Sequence, residues 1–264
     1  MSSFPNVLTI AGSDPSGGAG IQADLKTFSA IKVYGTTVIT NITAQNTHGI
    51  NDIFTLPVKV IKSQLKSVFE DIDIAAVKIG MLHSIDIIEL VSEVLNYYRP
   101  NNIILDPVLV SSSGRPLLED DALSLLKSNL FPLATMITPN IPEARSILSL
   151  DHELKPTDME TVAKSLLQFG SKSVLLKGGH LKGRDCIDVL SDASQTTMFS
   201  HTKVASKNTH GTGCTLSSAI TANLAKGSSL QQAVQDANNY TYNAILNADK
   251  LNVGTGTGPL FHFT

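Results

Sequence analysis

The run His210-Gly211-Thr212-Gly213-Cys214-Thr215-Leu216-Ser217-Ser218 concentrates more chemical potential than any other stretch of this chain. Two glycines let backbone N–H groups converge on one point, and the apolar pattern after them opens a helix. A helix opening adds unpaired donors and the positive end of a dipole, so the segment suits an anion, phosphate foremost. Cys214 stands at the join, where a helix N-terminus lowers a thiol pKa, so it can serve as base or nucleophile. The competing reading is an ordinary turn with Cys214 as a small buried hydrophobe.

Other polar groups have complementary chemistry. Asp106 and Glu143 are carboxylates at two strand ends, suited to a hard cation such as Mg²⁺, which takes oxygen ligands and keeps waters shared with phosphates. Glu143 can equally stabilise the first turn of the helix that follows it. Lys177 closes an apolar strand before Gly178-Gly179, and an ammonium there can bridge phosphate oxygens during transfer. The Gln45 amide offers donor and acceptor side by side, fit for a heterocycle edge or for turn hydrogen bonds. Met81 can pack on an aromatic ring or fill the core. The glycine loop Gly12-Ser13-Asp14-Pro15-Ser16-Gly17-Gly18-Ala19-Gly20 fits neither the dinucleotide fingerprint nor the P-loop. It reads either as a flexible connection or as backbone laid against a ligand. None of the seven histidines forms a His-Glu-x-x-His pair, so no transition-metal site is expected.

The elements that must position these groups follow from hydrophobic periodicity. Short apolar β-branched runs at 7–10, 75–79, 103–105, 136–138 and 174–176 alternate with helical patterns. The helical patterns cover 22–29, 60–69, 85–98, 121–130, 159–169, 214–225 and 230–248, with Ser84 and Ser228-Ser229 as start signals. This alternation predicts an α/β fold, a mostly parallel central sheet flanked by helices. Residues 33–43 with 53–58, and 187–190 with 196–201, read as hairpin-like additions. No repeat, linker or low-complexity segment divides the chain, so residues 1–264 are expected to form one domain. In such folds ligands bind beyond the carboxyl ends of the strands, where the polar motifs fall.

Composition excludes other classes. A net charge of −3 with interspersed signs provides no nucleic-acid track, and 42 % hydrophobic residues can build a sizeable core. No apolar run reaches membrane-spanning length, and the first residues lack a secretion pattern. Two cysteines make neither a disulfide framework nor a zinc spacing, which fits a reducing, cytoplasmic setting.

Taken together, these motifs resemble the ribokinase-like superfamily, and within it the hydroxymethylpyrimidine/phosphomethylpyrimidine kinases of thiamine synthesis. The resemblance is carried by Ala11-Gly12-Ser13-Asp14 with Gly17 through Asp24, Thr43-Ala44-Gln45-Asn46-Thr47 and Lys78-Ile79-Gly80-Met81. It continues through Asp106-Pro107-Val108, Thr138-Pro139-Asn140 with Glu143-Ala144, Lys177-Gly178-Gly179-His180 and Asn208-Thr209-His210 through Thr215. It implies a ribokinase-like three-layer sandwich and a homodimer. It also implies ATP- and Mg²⁺-dependent phosphorylation of 4-amino-5-hydroxymethyl-2-methylpyrimidine, then of its monophosphate. By motif, Cys214 stands at the catalytic base, Gly211, Thr212 and Gly213 at the anion hole, and Asp106 and Glu143 at the Mg²⁺ site. Lys177, Asn140, Thr209 and Gly211 would contact nucleotide, and Asp24, Gln45, Met81 and Val108 would line the pyrimidine pocket. The chain departs from the family's commonest forms at Asn41, at Ser111-Ser112-Ser113-Gly114, in a short 191–207 segment, and at Gly254-Thr255-Gly256-Thr257-Gly258-Pro259, where Gly-His-Gly-His-Gly-Pro is common. A related branch with the same Gly-Thr-Gly-Cys loop phosphorylates pyridoxal or pyridoxine. A non-catalytic ligand-binding protein is disfavoured because loop, carboxylates and lysine are all present, and a dinucleotide oxidoreductase because its fingerprint is missing.

Overall fold

The computed structural model describes residues 4–111, 114–119 and 121–263. Ser112 and Ser113 of the serine run therefore lie outside the described residues. Nine strands form one sheet in the order β3-β2-β1-β4-β5-β6-β7-β8-β9. The strands are β1 (Asn6–Ser13), β2 (Tyr34–Asn46), β3 (Gly49–Thr55), β4 (Ile74–Ile79), β5 (Ile103–Leu105), β6 (Met136–Ile137), β7 (Ser173–Leu176), β8 (Asp185–Asp192) and β9 (Thr196–Thr202). Strands β2, β1, β4, β5, β6 and β7 pair in parallel, whereas β3 and the β8–β9 pair add antiparallel edges. The two expected hairpins are thus present, one at each end of the sheet.

Alternation along the strands explains the layering. Ile103 and Leu105 face one core and Ile104 the other; Ile137 and Met136, and Leu176 and Leu175, divide in the same way. Period-2 burial on both faces requires helices on both sides. On one side lie α2 (Val58–Asp71), α3 (Ile85–Tyr98), α4 (Ala122–Leu125), α5 (Ile141–Leu148) and α6 (Met159–Leu166). Helices α1 (Gly20–Ala30), α7 (Thr212–Ala225) and α8 (Leu230–Leu246) cover the other. Helix α7 is buried on nearly its whole circumference, the pattern of a central rather than a surface helix.

Several boundaries differ from the periodicity for local reasons. The 121–130 pattern is a short α-helix that widens into a π turn at Leu126–Leu130 and tightens into a 3₁₀ turn at Phe131–Leu133, where Pro132 enters. Ser84 occupies the N-cap of α3 but its side chain makes no capping bond, whereas Ser229 caps α8 by accepting from the Gln232 N–H. Helix α7 begins at Thr212, two residues earlier than expected, because Gly211 takes the left-handed cap conformation (φ 83°). That shift places Gly213 and Cys214 inside the first turn, among the N–H groups without intrahelical acceptors.

Candidate active site

The sheet reverses its order between β1 and β4, and a cavity of about 610 Å³ lies beyond the strand ends around that point. Its lining includes Gln45, Met81, Asp106, Val108, Asn140, Glu143, Lys177, Thr209, Gly211, Thr212, Gly213 and Cys214. Every site residue expected from the motifs therefore meets in one cavity, with the exception of Asp24.

The anion loop is built by close backbone approach. A Cβ on Gly211 would stand 1.8 Å from the Gly18 carbonyl oxygen, and one on Gly18 would stand 2.3 Å from His210 Cδ2. The glycine loop is therefore neither free nor merely flexible: it is the floor on which the α7 N-terminus rests. Gly213 faces the charged groups, since a Cβ there would lie 3.2 Å from Lys177 Nζ and 3.3 Å from Asp106 Oδ2.

Lys177 donates to Asp106 Oδ1 at 2.7 Å, and Thr138 Oγ1 donates to the same oxygen at 3.0 Å. Burial works against the Lys177 charge, but Asp106 and Glu143 beside it hold its pKa above the ordinary value. Glu143 is pushed up to about 7, first by burial and then by Asp106, with Lys177 opposing. It forms a capping box with Asn140: Asn140 Oδ1 accepts from the Glu143 N–H at 2.9 Å, and Glu143 Oε2 accepts from the Asn140 N–H at 2.8 Å. The helix-stabilising role of Glu143 is thus realised in the structure.

Two expectations require correction. Asp24 is fully buried beneath the cavity and does not line it. Its Oδ1 accepts from Lys78 and Ser218 and its Oδ2 from Lys78 and Thr9, all within 2.6–3.0 Å, so neither oxygen is turned toward a ligand. Lys78, its partner, does line the cavity. The Cys214 thiol is not acidified in this setting. Burial pushes it up to about 11; the Lys78 charge opposes this, and Asp24 and Asp106 reinforce it. Desolvation and two nearby carboxylates outweigh the Lys78 charge and the hydrogen bond from the Gly20 backbone.

Sequence reasoning also passed over the pair His210–Asp14, whose Nε2 and Oδ2 lie 2.8 Å apart, both side chains buried. Asp14 further accepts from the Ser16, Gly18 and Ala19 N–H groups, which fixes the glycine loop. An Asx-type signal, Asp14 followed by Pro-Ser-Gly-Gly, marks this role in the sequence. The divergent Gly254–Pro259 run packs on the β2–β3 turn: the Thr257 N–H donates to the Thr47 carbonyl at 2.8 Å, and Thr255 Oγ1 meets His48 Nε2 at 2.9 Å. Among the described residues no three His, Cys, Asp or Glu side chains cluster to hold a metal, and no helix is long and apolar enough to cross a membrane.

Comparison with known proteins places these features. The family model described as phosphomethylpyrimidine kinase matches residues 14–261. The hydroxymethylpyrimidine/phosphomethylpyrimidine kinase of Escherichia coli (strain K12) is 45 % identical over 258 residues, spanning 98 % of this chain and 97 % of that protein. The crystal structure of phosphomethylpyrimidine kinase from Clostridium difficile 630 is 48 % identical with a TM-score of 0.80, covering 91 % of this chain and 99 % of that one. The ADP complex of Bacillus subtilis pyridoxal kinase superposes with a TM-score of 0.90 at 37 % identity, covering 98 % of both chains.

Proposed function

The chain belongs to the phosphomethylpyrimidine kinase family, and from that membership we propose how its cavity transfers phosphate and to what. It is a small-molecule kinase of the hydroxymethylpyrimidine/phosphomethylpyrimidine type, with a ribokinase-like α/β fold. The substrate is 4-amino-5-hydroxymethyl-2-methylpyrimidine, phosphorylated by ATP to the monophosphate and then to the diphosphate. The observation that carries this reading is the meeting of the α7 N-terminus with the Lys177–Asp106 pair at Gly213, in the cavity that also holds Gln45, Met81 and Val108.

The first-turn N–H groups of α7 and the Lys177 ammonium stabilise charge on the transferring phosphoryl group. Asn140 and Thr209 contact the nucleotide. Gln45 reads the heterocycle edge, and Met81 and Val108 hold the ring. Cys214 accepts the hydroxymethyl proton as the oxygen attacks the γ-phosphorus; its raised pKa makes it a strong base that is sparsely ionised at neutral pH.

Asp106 and Glu143 bring carboxylate oxygens together beside Lys177, and that all-oxygen donor set fits Mg²⁺. Asp106 and Glu143 would hold the ion, directly or through water, while Glu143 also accepts from the Asn140 and Leu109 backbones. When bound, Mg²⁺ offsets charge on the nucleotide phosphates.

A homodimer belongs to the same reading. Ile42 and Phe54 are cross-strand partners on the β2–β3 edge, 46 % and 62 % exposed, an apolar pair suited to burial against a second copy. A cytoplasmic setting is supported by the two unpaired thiols, Cys186 and Cys214.

Comparing kcat/KM for the pyrimidine alcohol with that for pyridoxal tests the substrate. The reading expects the pyrimidine to be strongly preferred; preference for pyridoxal, the substrate class of the Bacillus subtilis structural neighbour, would overturn it.

A further inference from the structure

Donor counting around His210 assigns a role to a residue that the transfer chemistry does not use. Asp14 carries no proton near neutral pH: burial favours its neutral form, but hydrogen bonds from His210 and Ser16 outweigh this and hold it at about 2. At 2.8 Å from this carboxylate, His210 Nε2 must carry the hydrogen, whether the ring is neutral or charged. It then has no lone pair to offer. Yet the nearer end of the Gln45 amide lies only 3.1 Å from the same nitrogen. An amide NH₂ there would set donor against donor. At its other end the amide lies 3.2 Å from Thr43 Oγ1, whose single hydrogen is within reach of that amide end and of the nearer Ser13 carbonyl at 3.0 Å, and a hydroxyl bonded to the carbonyl has none left for the amide. Thr43 can therefore accept but not donate again, so a carbonyl oxygen facing it would set acceptor against acceptor.

One amide orientation relieves both, with Oε1 toward His210 and Nε2 toward Thr43: Oε1 takes the long arm, 3.1 Å, of a bifurcated bond from the Nε2–H whose short arm, 2.8 Å, goes to Asp14, and Nε2 donates to Thr43; amide N and O are near-isosteric, so no atom moves. We infer that Asp14, His210 and Thr43 lock the Gln45 amide in this orientation, and that His210 is thereby a positioning residue setting selectivity for an aminopyrimidine edge. The remaining Nε2 hydrogen and Oε1 lone pair face a ligand in fixed order. They match a ring nitrogen acceptor beside an exocyclic amine donor. The backbone of His210 is itself fixed, its N–H donating to the Gly258 carbonyl at 3.0 Å. The inference rests on the substrate reading above for its ligand, and on local geometry alone for the lock.

Two measurements test it. In wild-type protein labelled with ¹⁵N-histidine, the ligand-free imidazole of His210 is expected to carry its proton on Nε2; a neutral ring protonated only on Nδ1 would overturn the lock, whatever the substrate. In kinetics, the 4-oxo analogue of the pyrimidine presents N–H and C=O in reversed order. Wild type is expected to prefer the amino compound. His210→Phe, which frees the amide to turn, is expected to lower the amino-to-oxo kcat/KM ratio about tenfold or more, through KM for the pyrimidine and not for ATP. His210→Gln, whose amide can still donate to Asp14, should recover part of that ratio. An equal loss on both substrates, with the ratio unchanged, would reduce His210 to a structural role. If wild type phosphorylates neither compound, the substrate reading fails, and the imidazole spectrum still decides the lock.

Discussion

Lys177 Nζ stands 2.7 Å from Asp106 Oδ1, and both face Gly213 at the start of α7. A cation, a carboxylate and the first turn of a helix thus meet at one point. Positioned charge of this kind acts mainly on the transition state of phosphoryl transfer. Lys177→Ala and Asp106→Asn are therefore expected to lower kcat about 10²-fold or more while KM for the pyrimidine changes only a few-fold. Steady-state kinetics check this; a change confined to KM would place both residues in uniform binding instead.

Cys214 yields a prediction about reactivity. With its thiol held near 11 by burial, alkylation by iodoacetamide should be slow at neutral pH and rise about tenfold per pH unit until the thiol ionises. Peptide mass spectrometry resolves Cys214 from Cys186, whose thiol burial also raises, to about 12. Fast, pH-independent labelling of Cys214 at neutral pH would mean that the helix dipole prevails after all. Cys214→Ala should lower kcat sharply with pyrimidine binding largely retained.

The Asp24–Lys78 pair is a stability element beneath the cavity. Both side chains are fully buried and 2.9 Å apart, and Asp24 holds the Lys78 pKa above its usual value against the pull of burial. Lys78→Met strands a buried carboxylate and should cost about 3–5 kcal/mol in urea unfolding. Replacing both partners, Asp24→Asn with Lys78→Met, should recover a substantial part of that loss. An additive loss in the double variant would show that the charges do not depend on each other.

Asp14 makes stability depend on acid. Its folded pKa of about 2 lies below its ordinary 3.8, so its contribution is fully present above about pH 4 and is lost as pH falls through 2. A shift of this size corresponds to about 2 kcal/mol. Asp14→Asn should remove that contribution at pH 7 and flatten unfolding free energy against pH between 4 and 2. An acid profile identical to wild type would contradict the depressed pKa.

The motifs at the strand ends were legible because each combines a β-branched run with punctuation that only a ligand-facing turn requires. Asp106-Pro107 and Lys177-Gly178-Gly179 fall just beyond strand ends, Gly-Thr-Gly-Cys opens α7, and all three motifs reach one cavity. What the sequence concealed was the direction of side chains. Asp24 lies on α1 in a motif-rich stretch, yet its helix face points inward, where Thr9, Lys78 and Ser218 enclose it. The Asp14–His210 pair joins residues 196 positions apart, a relation that no local pattern encodes. The Cys214 pKa depends on carboxylates from α1 and from beyond β5, which the helix-start signal does not register.

Most directly, purified protein incubated with Mg-ATP and 4-amino-5-hydroxymethyl-2-methylpyrimidine, followed by mass spectrometry over time, addresses the central claim. A monophosphate should appear and then convert to the diphosphate, with both steps slowed in Lys177→Ala. No phosphorylated pyrimidine from folded wild-type protein, or undiminished turnover in the Lys177 variant, would contradict it.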